Sequence, residues 1–463
     1  MLFDVVFCDN NTHNLTGQFF MKNGYKGVLL DLDRRSRESV TLRRVRMSDE
    51  WISLTGHGGR GTGESTPDAS QQAWLRPLPF WLAAFLAGRW PLLRAAENRR
   101  RKLFREPVRL TRFLAIHYVA PVKKLPEEIV WLRELGVPQA VLTVNQRASD
   151  QQHLRLLSDI QHLRSENCRV AAVLLPKPDA GSQQELEEWP QFCHWLLSQA
   201  GWQLDFVQFG ASMEALVRQH KEIPALAALF AHVPRLRHDY PGVALLAPWL
   251  EGFASSMPLK TLRQLLPEGG VWDGVTLQAP AWQVLESMGR ENMFLRQVAL
   301  SGATALLPEF ASRRVQVVFP PLPAGCDAAG MERIAGSVVR RTVLALCSGM
   351  ADQMMVGMDP DMPVSERQTL ATAIRELVEQ LDGARFVQRV RTGEEQRDFV
   401  LEFERPGKPP LLVGWTDGEP QQVGVPFAVG AASDFLRRSV PLLPRSRVRL
   451  TRNMAYFARD KRT

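Results

Sequence analysis

Cysteine is scarce in this chain of 463 residues. The five present, Cys8, Cys168, Cys193, Cys326 and Cys347, form no CxxC pair and leave an odd count. Neither a disulfide framework nor a zinc ligand set is indicated, and a reducing compartment is the simpler expectation. No uninterrupted apolar run approaches the roughly 20 residues that a membrane-spanning helix needs. The opening MLFDVVFCDNN has no basic stretch leading into an apolar core, so a cytoplasmic protein is expected. No HExxH, Ser-His-Asp spacing or metal-ligand cluster stands out, and no metal or cofactor is expected. The glycine-rich GGRGTG lacks the lysine and the strand-to-helix setting of a P-loop. It lies in the polar stretch from Gly56 to Gln72, which reads as a flexible linker. A net charge of +8 and a pI near 9.5 suggest anionic surroundings. The basic residues are nevertheless scattered, except around Arg94 to Arg112, which argues against a nucleic-acid groove.

What is present is ordinary globular composition, 45% hydrophobic and 23% charged, in a chain long enough for one large domain and something smaller. FDVVF, KGVLLDLD, SVTLRRVRM and WISLTG, within residues 1–57, are short strand-like runs separated by turn formers. From Thr111 the rhythm changes. RFLAIHYVA, AVLTVNQR, RVAAVLLPKPD, LDFVQFG, GVALLAPWLEGF, WDGVTLQAPAW, MFLRQVALSG and RVQVVFPPLP alternate with helix-like stretches such as LPEEIVWLRELG. Runs like VAAVLL, apolar without alternation, fit parallel strands buried on both faces. Eight of them predict a (β/α)8 barrel over residues 111–380. MERIAGSVVRRTVLALCSGMADQMMVGM then reads as helix. After residue 381, ARFVQRVRTG, DFVLEFERPG, PPLLVGWTDG and QQVGVPF read as strands of a β-sandwich, to which the N-terminal strands are expected to contribute.

Between them, residues 58–110 hold the linker and an amphipathic basic segment. Trp81, Leu82, Phe85, Leu86 and Trp90 share one helical face, and Arg99, Arg100, Arg101, Lys102 and Arg105 follow. Two readings stand. The aromatic face could enter a membrane interface while the arginines meet anionic headgroups, giving peripheral attachment to the inner membrane. Alternatively the helix packs on the barrel and the basic run is solvated.

The barrel followed by a strand unit with LLVGWTDG resembles the retaining glycoside hydrolases of the large glutamate-using barrel clan, in particular its β-xylosidase-like members. The resemblance covers Thr111 to about Pro426. It implies an acid/base glutamate at the end of strand four, in a stretch of the type E-I-G-N-E-P, and a nucleophilic glutamate at the end of strand seven. Here the strand-four stretch is Gln208, Phe209, Gly210, Ala211, Ser212 and Met213, so Ser212 stands at the acid/base position. Strand six offers Gln278, Pro280 and Trp282, and the expected strand-seven Thr-Glu pair is matched by Arg296 and Gln297. Retaining cleavage needs two carboxyl groups about 5–5.5 Å apart, one to protonate the leaving oxygen and one to attack the anomeric carbon. Serine and glutamine do neither. Glu251, beside Trp249, is the best candidate for a displaced carboxylate, ahead of Asp150, Asp179 and Glu214. The alternative for all four is a solvated loop acid.

The residues expected at the barrel's C-terminal mouth are His117, Tyr118, Asn145, Gln146, Arg147, Lys177, Gln208, Trp249, Gln278 and Trp282. Tryptophan faces stack on sugar rings, and Asn, Gln and Arg bond hydroxyl or acidic groups. The expectation is a non-hydrolysing protein that binds a glycan or glycan precursor in cell-surface polysaccharide or lipopolysaccharide assembly, with assembly proteins as partners and no nucleic acid. An active enzyme with displaced carboxylates is the alternative, and a protein-binding scaffold a third.

Overall fold

A computed structural model describes residues 3–7, 16–21, 29–31, 106–120, 122–176, 183–210, 223–251, 272–278, 291, 294–295, 298, 310–319, 322, 325–359, 362–394, 396–444 and 446–460. The chain divides into two units, Met1–Arg76 and Pro77–Thr463. In the first, β1 (Phe3–Phe7), β2 (Thr16–Met21) and β3 (Leu29–Asp31) form an antiparallel sheet in that order.

The second unit contains a closed barrel. Its strands are β4 (Leu114–Val119), β5 (Gln139–Asn145), β6 (Arg169–Leu175), β7 (Leu204–Phe209), β8 (Ala244–Leu246), β10 (Trp272–Gln278), β11 (Phe310–Phe319) and β12 (Gln353–Gly357), with the two-residue β9 (Leu250–Glu251) beside β10. All pair in parallel, in the order β4-β5-β6-β7-β8-β10-β11-β12, and β12 returns to β4. The described helices are α1 (Leu110–Phe113), α2 (Leu125–Leu135), α3 (Asp150–Ser165), α4 (Gln183–Ala200), α5 (Ile223–Phe230), α6 (Val233–Asp239), α7 (Ala328–Cys347) and α8 (Val364–Leu381). Their ends carry local signals. Pro126 sits in the first turn of α2, and Gly136 closes that helix at φ 67°, a left-handed conformation open to glycine. Ser149 and Gln152 form a reciprocal capping box on α3.

The fold class expected from the sequence is present, a (β/α)8 barrel with an accessory β-sandwich, but two of the eight runs change identity. MFLRQVALSG is not strand seven. Glu291, Phe294, Leu295 and Val298 are helical, and their i, i+3, i+4, i+7 spacing turns Glu291, Phe294 and Val298 into the interior, with Leu295 half-buried on the same face. Strand seven is the RVQVVF run of β11. Strand eight is QMMVG, which the sequence merges with the helix before it. A five-residue strand buried on both faces has no period of its own.

Beyond the barrel, β13 (Arg385–Arg389), β14 (Asp398–Arg405), β15 (Lys408–Thr416), β19 (Ala455–Arg459) and β17 (Val429–Asp434) form one antiparallel sheet in that order. β16 (Gln421–Gly424) and β18 (Arg447–Leu450) form a second. Val400, Leu412 and Phe457 from the larger sheet pack with Val423, Val448 and Leu450 from the smaller, which is the sandwich interior. The larger sheet's other face, with Phe399, Leu401, Phe403, Val413 and Trp415, joins one continuous apolar core with the barrel strands and helices.

Candidate functional site

Strand alternation decides which side chains reach the barrel's interior. Leu114, Ile116 and Tyr118 on β4, Val207 and Phe209 on β7, and Val275 and Leu277 on β10 belong to the layer between strands and helices. Ala115, Val141, Ala171, Val173, Phe206, Leu246, Val318 and Met355 form the separate cluster inside the barrel. With a period of two, His117, Thr143, Asn145, Gln208, Thr276, Gln278, Gln316 and Gln353 therefore share the inward side. None of these eight is Asp or Glu, and Glu251 on β9 is the register partner of the inward Gln278.

This polar set has unmet hydrogen-bonding capacity. Gln208 is wholly buried. Its Nε2 donates to the Gly210 carbonyl at 3.3 Å, while its Oε1 accepts from no described residue. Gln316 donates to Gln353 Oε1 at 3.0 Å, and its own Oε1 is unmet. Thr276, paired in register with Gln316, is wholly buried with its hydroxyl unpartnered, and the Gln278 carbonyl is also without a donor. Each such buried atom costs about 1–3 kcal/mol unless a ligand or water meets it. Across the barrel, four strands from β8, His117 bonds Thr143 through Nε2 and meets the Trp249 ring edge-on, with centroids 6.3 Å apart. Trp249 packs against the interior cluster, and its indole N–H is buried without an acceptor. Burial lowers the His117 pKa to about 4, so the imidazole is neutral at pH 7. The arrangement offers neutral donors and acceptors and one aromatic face. That suits a hydroxyl-rich ligand.

The other expected site residues divide clearly. Tyr118 faces away from the mouth because His117 faces in. It lies between β4 and α2, where burial, with the Glu128 carboxylate beside it, raises its phenol pKa well above the ordinary value. Asn145 and Arg147 stand exposed at the end of β5, where the Asn145 side chain accepts from the Arg147 backbone N–H at 2.9 Å. Gln146, between them, is buried. The backbone of Glu251 pairs with Gln278, which sets it at the C-terminal end of β10. Asp150 opens α3. Lys177, Ser212, Trp282, Arg296, Gln297, Asp179 and Glu214 lie outside the described residues, as do Trp81, Phe85, Trp90, Arg99, Arg100 and Arg101. Strand seven is β11, which ends at Phe319.

Sequence reasoning missed Thr143, Thr276, Gln316 and Gln353, whose signal was the inward parity of their strands. It also passed over Asp359, half-buried two residues past β12, because that stretch read as helix. Among the described residues no group of His, Cys, Asp and Glu could hold a metal, and no helix is long and apolar enough to cross a membrane.

No family model matches the sequence, and no curated protein does. Among solved structures, the chain is similar to a bifunctional glucanase-xylanase from a metagenome library, at 9% identity, covering 77% of this chain and 97% of that one, with a TM-score of 0.49. A GH27 β-L-arabinopyranosidase from Geobacillus stearothermophilus matches at 8% identity over 76% and 98%, with a TM-score of 0.45. A family 51 α-L-arabinofuranosidase from Bifidobacterium longum matches at 10% over 76% and 98%, also with a TM-score of 0.45. At these scores the likenesses bear on no individual residue of this chain.

Proposed function

We propose that this protein binds a carbohydrate or glycan precursor at the C-terminal mouth of its barrel and does not cleave it by double displacement. The observation that supports this most directly is the set of buried, uncharged and unpartnered groups on β7, β10 and β11, Gln208, Thr276, Gln278 and Gln316, with Trp249 beside them. Carbohydrate hydroxyls both donate and accept, so they can satisfy amide carbonyls, a hydroxyl and an indole N–H together. The lack of Asp or Glu among the eight inward barrel-strand positions supports a binding role over hydrolysis, with Glu251, the register partner of Gln278, the carboxylate to test. The proposed setting is cell-surface polysaccharide or lipopolysaccharide assembly at the cytoplasmic face of the inner membrane, reached through the segment Pro77 to Arg105. Its support is the net charge of +8 and the aromatic and arginine pattern of that segment.

Calorimetric titration against a panel of neutral oligosaccharides tests this reading. Wild-type protein should bind at least one, and Gln208→Leu should weaken it by roughly tenfold while the unfolding midpoint changes little, since an apolar isostere removes an unmet acceptor. Turnover of aryl glycosides that is lost on Glu251→Gln or Asp359→Asn would replace the binding reading with displaced catalysis. A true general acid contributes about 10²–10⁴-fold.

A further inference from the structure

Away from the mouth, a cleft of about 370 Å³ opens where the chain enters the barrel and the sandwich begins, with Pro107, Pro406 and Pro410 as walls. That volume lies in the ordinary range for small-molecule sites, about 300–1,000 Å³. The Pro107 wall is held in place. Val108 N–H donates to the Ala384 carbonyl at 2.6 Å, and the Val108 carbonyl accepts from Gly383 N–H at 2.7 Å.

The charges around this cleft are arranged in an unusual way for a sheet. Opposite charges normally face each other across paired strands, and like charges directly opposite are destabilising. Arg385 and Glu404 follow the rule, being register partners joined by an ion pair. One position further, Arg405 and Lys408 are register partners at the β14–β15 hairpin, with only Pro406 and Gly407 between them. Both line the cleft, and neither has a carboxylate partner among the described residues. The Arg405 guanidinium is half-buried and fixed by two neutral acceptors, Pro409 O from Nε at 3.0 Å and Gln380 Oε1 from Nη1 at 2.7 Å. Its Nη2 makes no hydrogen bond with a described residue. Burial without a counter-ion lowers its pKa. A positioned guanidinium with a free nitrogen and a lysine beside it, in a cleft edged by Pro107, Pro406 and Pro410, together make a receptor for a compact anion.

We propose that this cleft binds a phosphate group, held by Arg405 and Lys408 against the proline walls. The phosphate could be carried by a soluble sugar phosphate or by a phospholipid headgroup, and the two are separable experimentally. Glucose 1-phosphate is titrated into the full-length protein by calorimetry. In parallel, flotation is measured on vesicles of equal parts phosphatidylglycerol and phosphatidylcholine and on phosphatidylcholine alone. Saturable binding in one arm, weakened by at least about tenfold in Lys408→Gln and in Arg405→Gln, is the expected result and identifies the carrier. If Arg405→Gln does not fold, Lys408→Gln carries the test, since its side chain is exposed. That variant should also unfold at a higher temperature than wild type in low salt without ligand, because it relieves the like-charge pair. No binding in either arm, or binding that both variants retain in full, overturns the proposal. Inorganic phosphate, titrated in the same way, should bind with the same dependence on Arg405 and Lys408, and because it carries no sugar hydroxyls it separates this site from the glycan reading.

Discussion

His117 shows how burial alone sets a side chain's chemistry. Its pKa is lowered to about 4, and burial likewise lowers that of His232, on the far side of Phe209, to about 4. Both groups sit near 6.5 in the unfolded chain. Between these values the unfolded chain holds protons that the folded chain does not. Stability is therefore level above about pH 6.5 and falls as pH drops toward 4, with each histidine contributing a slope of at most about 1.4 kcal/mol per pH unit. Urea denaturation between pH 4 and pH 7 checks this, and His117→Gln should flatten the curve. Trp249 is the neighbour whose loss admits water. Trp249→Ala should move the His117 pKa upward toward 6.5, measured by NMR titration, whereas an unmoved value would mean the indole does not shield the ring.

At the scale of elements, the strongest local signals are caps and the weakest are short buried strands. Ser149 caps α3, and its hydroxyl accepts from the Gln152 backbone N–H at 3.3 Å. Ser149→Ala should lower stability by about 1 kcal/mol in chemical denaturation. The helix containing Phe294 was not legible as one. Phe294 is wholly buried, its ring centroid 5.8 Å from that of Phe319 on β11, and the Arg341 guanidinium lies over both rings. Phe294→Ala should cost about 3–5 kcal/mol, the range for truncating a buried aromatic.

For barrel and sandwich together, the junction is built from charges as well as apolar surface. Glu291 is buried between Arg340 on α7 and the indole N–H of Trp415 on β15, and bonds both. Arg340 also donates to the Arg452 carbonyl at 2.8 Å. Further along, Arg437 reaches Glu376 on α8 at 2.8 Å, and Arg438 pairs with Glu332 on α7. A shared core and a buried ion pair couple two parts of a fold more tightly than surface pairs do. Barrel and sandwich should therefore unfold in one calorimetric transition. Glu291→Ala, which strands the half-buried Arg340 charge and the buried indole N–H, should cost up to about 3–5 kcal/mol and act on both parts at once.

The sequence by itself determined the class of architecture, because strand and helix periods, turn residues and caps are local and survive in a single chain. It also determined that His117, Gln208 and Gln278 stand at the ends of recognised strands. Only the tertiary structure decided which run is strand seven and which is strand eight, since a short stretch buried on both faces has no period to read. It decided, too, that Tyr118 turns away while His117 turns in, and that Thr276, Gln316 and Gln353 join Gln208 inside the barrel. Inward and outward are properties of a closed sheet, and closure is a relation among strands that lie far apart in the chain.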